Sequence, residues 1–227
     1  MSRAARGFRF AAAATVSSIL ALSLAGCSFG TVQADCDPRV GEVPLNAERE
    51  VAVILAPTAS FVDFDKVLIE VGPRISDLLT KNKTSLNIVL ADSTPSIVAK
   101  YSVDFDNAPF QSDRDEVIEI AQGRLSWAAN CASVEEGVGF SVEPEVDFLR
   151  AIGVASESFV SASSEKFVFI LGNGLQTSGQ FSLLTGFPED SRSADKLVDQ
   201  LQTSGAIKPL DGAKVFWTGL GQVNTSH

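Results

Sequence analysis

Two short stretches hold the side chains best placed to do chemistry. The first is APTAS, Ala56 to Ser60, where Thr58 and Ser60 follow the apolar run VAVILA. The second is GNGLQTSG, Gly172 to Gly179, where Asn173 and Gln176 follow FVFIL. The turn at the end of a buried strand is where open α/β sheets place their ligands. Neither turn carries an acid. A hard cation such as magnesium needs one or two carboxylates to offset its dehydration, so Thr58, Ser60, Asn173 and Gln176 form a candidate binding rim at a crevice, not a metal site. Local roles compete with that reading. Ser60 can cap a helix, Thr58 can bond within its turn, and Asn173 between two glycines suits a backbone of positive φ.

Other chemistries lack a necessary part. A Ser-His or Cys-His mechanism needs a base beside the nucleophile, and the single histidine is His227, the last residue of the sequence. No phosphate-cradling G-x-x-x-x-G-K-[ST] occurs, and GNGLQTSG lacks both the lysine and the helix that would follow it. The run VDFD occurs at Val62 to Asp65 and again at Val103 to Asp106. Close carboxylates can bind calcium or act as an acid and base pair. The first run, however, opens a predicted helix, where acids favour the positive end of the dipole, and the second closes a strand. A hydrolase would need two such acids drawn into one cleft. The pattern predicts no catalytic residue, no cofactor and no metal.

The elements that must position these turns are legible from periodicity. VAVILA from Val51, LNIVLA from Leu86 and FVFIL from Phe167 are continuous apolar runs rich in β-branched residues, which suits strands buried on both faces. VFWTGL from Val215 is a less pure example. Phe64, Val67, Val71, Ile75 and Leu78 make one helical stripe, which Ser60-x-x-Asp63 can cap and Gly72-Pro73 should kink or divide. A second helix is expected from Asp113 to about Ala132, capped by Ser112. A third should start at Pro144 and bury Phe148, Ile152, Ala155 and Phe159. A fourth should run from about Ala194 to Gln202, with Gly205 beyond it. In VAKYSVDF, Tyr101, Val103 and Phe105 alternate with polar residues and follow LNIVLA too closely for a helical crossover. That segment should pair antiparallel at a sheet edge. The predicted fold is α/β, a doubly wound, mostly parallel sheet with one antiparallel edge strand and helices on both faces.

The N-terminus addresses the chain for export. Arg3, Arg6 and Arg9 precede an apolar run too short and serine-rich for a comfortable span. That run ends in Leu24-Ala25-Gly26-Cys27, which resembles the lipobox of bacterial lipoproteins. The resemblance implies a signal peptide over 1–26 and a diacylglyceryl anchor, with palmitate-type chains, on Cys27. The alternative is an ordinary secretory signal with a chance cysteine. Each buried methylene of such an anchor contributes about 0.8 kcal/mol of membrane affinity. Cleavage removes three arginines and no acid, so the net charge of −10 becomes more negative still. That balance argues against nucleic acid and against a basic patch for anionic lipid heads. Cys36 and Cys131 remain, and in an exported protein such a pair reads as a disulfide. Two buried free thiols are the alternative. Residues 27–49 are small and polar with two prolines, as expected of a lipid-anchored linker. One domain should span 50–222, with 223–227 as a tail.

The element order, with its antiparallel third strand, resembles the von Willebrand factor type A domain. GNGLQTSG and VFWTGLG look like their counterparts in bacterial envelope proteins that carry a type A-like domain ahead of an OmpA-like domain. Type A domains that bind a divalent ion use Asp-x-Ser-x-Ser after the first strand and an acid after the fourth. On that match Ala56 stands at the aspartate position, Thr58 and Ser60 keep the hydroxyls, and Asn173 replaces the later acid. The resemblance implies a degenerate metal site in a non-catalytic, lipid-anchored module at the outer side of the cell membrane, binding an envelope protein. A lipoprotein that binds a small ligand in the crevice is the other expectation.

Overall fold

A computed structural model of the chain describes residues 36, 38–40, 46–56, 64–106, 108–133, 145–177, 182, 188–206, 208–210 and 212–220. All of them belong to one compact unit, Gln33–His227. In chain order the elements are β1 (Arg39–Val40), β2 (Arg49–Leu55), α1 (Phe64–Leu79), β3 (Thr84–Leu90), β4 (Ser96–Val103), α2 (Gln111–Ser133), α3 (Phe148–Glu157), β5 (Glu165–Leu171), α4 (Ser191–Thr203) and β6 (Lys214–Thr218). The strands form one sheet in the order β1-β4-β3-β2-β5-β6. Every pairing is parallel except β3 with β4.

The apolar runs occupy the middle of the sheet because both of its faces are covered. Val51, Val53 and Leu55 of β2 pack with Leu86, Ile88 and Leu90 of β3 against the helical stripes of α1 and α2. Ala52, Ile54 and Ala56 point the other way and pack with Phe148, Ala151 and Ala155 of α3. A strand with a helix layer on each side is largely apolar on both faces. The result is an α/β fold with helices on both faces.

Five local expectations are corrected. The antiparallel strand β4 pairs with β3 as predicted, yet it is not the edge, because Arg39 and Val40, in the stretch read as linker, add a short parallel strand to it. Helix α1 runs unbroken through Pro73. Pro73 is exposed, so the Ile69 carbonyl that loses its amide partner lies on the solvent side, where water can satisfy it. Ser112 does not cap α2, which begins one residue earlier and is entered by an Arg114 amide bond to the Phe110 carbonyl. Helix α3 begins beyond Pro144, at Phe148, because Asp147 caps it by accepting from the Arg150 amide at 3.0 Å. Leu78 is only partly buried, and Leu79 takes its place in the α1 stripe.

Two contacts hold β1 in place. Cys36 and Cys131 form a disulfide across 95 residues, with their Cα atoms 5.7 Å apart. The Arg39 guanidinium lies 4.4 Å from the centre of the Trp127 ring, also on α2. The segment covers part of the outer edge of β4, which would otherwise offer unpaired backbone groups to other chains.

Because the bridge closes a long loop, replacing both Cys36 and Cys131 by serine should lower unfolding stability by about 2–5 kcal/mol. Urea titration of the double variant checks this. An unchanged midpoint would show that the bridge adds nothing to stability.

Candidate functional site

The chain order places a switch point between β2 and β5. From β2 the chain moves to β3 on one side, and β5 returns on the other side of β2. In open α/β sheets the crevice at such a point, outside the carboxyl ends of the strands, is the usual place for a ligand. Here those ends are Ala56 after β2, Ala91-Asp92 after β3, Gly172-Asn173 after β5 and Gly219-Leu220 after β6. Thr58 and Ser60 lie outside the described residues, as does His227.

The floor of the crevice is packed shut. Ala56 is 1% exposed and belongs to the apolar cluster under α3. A Cβ on Gly172 would sit 2.7 Å from the Phe148 ring and 2.9 Å from the Ala56 methyl. Glycine is required at 172 because three elements converge on its Cα. The Gly172 carbonyl accepts from the Trp217 indole N–H at 2.9 Å, and its amide donates to the Thr218 carbonyl at 3.1 Å.

Asn173 and Gln176 come together in one loop, and both are buried. Asn173 Oδ1 accepts from the Leu175 amide at 2.9 Å, an Asx turn that shapes the loop. The positive φ expected at Asn173 belongs instead to Gly174, at +83°. The Gln176 carboxamide donates to Asp147 Oδ1 at 2.8 Å and accepts from the Leu149 amide at 3.3 Å. It thereby docks the loop onto the first turn of α3, supplying an acceptor to an otherwise orphaned amide. Thr177 completes the attachment, because its hydroxyl accepts from the Val146 amide at 2.6 Å and its own amide donates to the Val146 carbonyl.

Two acids that the sequence reading passed over also stand here. Asp92 and Asp147 are both buried, and the Asp147 amide donates to the Asp92 carbonyl at 3.1 Å. Their side chains serve backbone geometry. Asp92 Oδ1 accepts from the Thr94 amide at 2.8 Å, and Asp147 caps α3. Asp92 was legible as an acid directly after a buried strand, in ADST, and Asp147 as an N-cap residue before FLRAI. The second VDFD run is likewise local: Asp104 accepts from the Asp106 amide, and Asp106 pairs with Lys83 at 3.4 Å. Among the described residues no group of three or more His, Cys, Asp or Glu comes together as a metal-holding set, and no helix is long and apolar enough to cross a membrane.

Beside this internally bonded loop lies an apolar surface. Trp217 stacks obliquely on Phe148, with ring centres 5.4 Å apart, and is still 38% exposed. Leu220 touches Gly174 and is 64% exposed, and Val215 faces solvent on the same strand as Trp217.

No family model and no curated protein sequence matches the chain. Among solved structures it is similar to the adhesive tip pilin GBS104 of Group B Streptococcus agalactiae, at 14% identity and a TM-score of 0.37, over 69% of this chain. The chain spans 53% of that pilin's structure. It is also similar to an uncharacterized membrane spanning protein from Vibrio fischeri, at 16% identity and a TM-score of 0.28, over 74% of this chain and 69% of that one. At these scores neither likeness bears on activity.

Gly174 and Gly205 both have positive φ, at +83° and +72°, but only at Gly174 would a Cβ meet neighbours, 2.6 Å from Leu220 and 3.3 Å from Trp217. Gly205→Ala should therefore cost about 1 kcal/mol from backbone strain alone, and Gly174→Ala about 2–4 kcal/mol. Equal losses in urea unfolding would show that the loop does not pack on Trp217 and Leu220 as described.

Proposed function

We propose that this chain is a non-catalytic binding module of the cell envelope, held by lipid at Cys27 to the outer side of the cell membrane, which recruits a protein partner through a surface. One observation carries this reading. Among the described residues, Asn173, Gln176 and Asp147 at the strand ends are turned inward to hold the α3 cap and the 172–177 loop, while Trp217 and Leu220 beside them face solvent. A small-molecule site needs a few polar groups converging on an enclosed space. A protein interface is instead anchored by an aromatic side chain set in an apolar patch. The strand order β4-β3-β2-β5-β6, with β4 antiparallel, supports the doubly wound, type A-like reading of the fold. On that reading, Ala56 fills the position of the metal-binding acid with a buried methyl group, and the metal site is degenerate.

Site-specific photo-crosslinkers at Trp217 and Leu220, introduced into the full chain in its native membranes, test the surface. Both positions should give a discrete adduct with another protein, and the same probe at the exposed Glu119 on α2 should give none. Absence of any adduct at the rim would sink the proposal and return attention to a ligand in the crevice. The anchor has a separate test. Mass spectrometry of the mature protein should find an acylated N-terminal Cys27, and Cys27→Ser should release the protein from the membrane fraction. An unmodified N-terminus elsewhere would contradict the anchor.

A further inference from the structure

The face of the sheet under α3 is divided in two. Its upper half, near the carboxyl ends of the strands, is apolar through Ile54, Ala56, Val89 and Ile170. Its lower half carries a polar band that crosses four strands. In register, Lys166 lies beside Glu50, Glu50 beside Ser85, and Ser85 beside Ser102. One step further up, Asn87 lies beside Ala52 and opposite Lys100. Glu50 is fully buried, and its carboxylate is engaged by the Val160 and Ser161 amides and the Ser164 hydroxyl.

The next part of the band is different. Ser85 and Asn87 are 0% and 1% exposed, and the Ser85 hydroxyl, both ends of the Asn87 carboxamide and the Ser102 hydroxyl are buried without a hydrogen-bond partner among the described residues. Ser85 and Ser102 are directly opposite, which places their Cβ atoms about 5 Å apart, and Asn87 is the diagonal neighbour of Ser102 on the same face, about 7–8 Å away, a span that a water molecule can bridge. Helix α3 packs over β2, β3 and β4 but cannot bond them. Its buried residues are Phe148, Ala151, Gly153 and Ala155, none of which carries a hydrogen-bonding side chain. Leaving such groups bare forfeits the hydrogen bonds they make with water in the unfolded chain.

We propose that Ser85, Asn87 and Ser102 line an internal hydration site, where ordered water bridges β3 and β4 beneath the small residues of α3. The chemistry selects the occupant. A carboxamide with both ends to satisfy needs a molecule that donates and accepts, and an enclosed space needs a small one. Water does both, and buried waters commonly make about three such bonds.

A crystal structure that shows ordered solvent should place a water within hydrogen-bond distance of the Asn87 carboxamide and of Ser85 or Ser102. Thermal unfolding of Asn87→Leu gives an independent reading. The variant should melt several degrees below the parent, because the water loses its main partner. A contact between the Asn87 carboxamide and protein atoms in place of water, or a melting point raised by the leucine, would overturn the proposal. A dry, unpaired carboxamide is worse than an apolar side chain of similar volume. Should Asn87→Leu fail to fold, the crystallographic result for the unmodified protein still decides.

Discussion

Everything in this fold follows from the position of β2. It is bonded on both edges to parallel strands and buried from Glu50 to Leu55, so it has neither a free edge nor a solvent face. Parallel neighbours require crossovers, and crossovers lay helices across the sheet. Because β3 and β5 flank β2 on opposite sides, the helices must cover both faces, and the connections that leave β2 and β5 run to opposite sides of the sheet. That divergence is what creates the crevice between Ala56 and Gly172.

The same crowding decides what the crevice becomes. Ala56, Gly172 and Phe148 meet so closely that one added carbon at Gly172 would collide with both neighbours. Polar side chains nearby are drawn into local service, because a buried amide at the start of a helix must find an acceptor. Asp147, Gln176 and Thr177 meet that need for α3 and the segment before it. Among the described residues, the apolar edge of β6 faces outward beside them, where Trp217 has its indole N–H engaged by Gly172 and part of its ring open to solvent. Glu50 shows the same economy at the opposite end of the sheet, where a buried carboxylate fixes the loop that leads into β5.

Strong periodicity made the frame legible. The three apolar runs became strands, the α1 stripe became one undivided helix, the alternation around Tyr101 became an antiparallel strand but not the edge, and Cys36 and Cys131 pair as read. What was not legible depended on tertiary context. Nothing local distinguishes Arg39-Val40 from linker, since two residues become a strand only when β4 lies beside them and the disulfide holds them there. Pro144 was read as the helix start, whereas the helix begins after Asp147, which Gln176, 29 residues away, bonds. The polar band under α3 was hidden for a similar reason. Asn87 is one polar residue inside an otherwise apolar run and Ser85 precedes it, and only the register with Ser102 groups the three.

The central proposal is that the described strand ends are scaffold and that the surface beside them is the recognition surface. Thermal unfolding of the protein with excess magnesium, manganese or calcium, against chelator, tests it most directly. A site filled to about 100 times its dissociation constant would add about 2.7 kcal/mol, which is roughly 5–10 °C for a domain of this size. With no acid at Ala56 or Asn173, no ion should move the midpoint. A shift of that size, abolished by Thr58→Ala or Ser60→Ala, would contradict the claim and make the crevice an ion-dependent binding site.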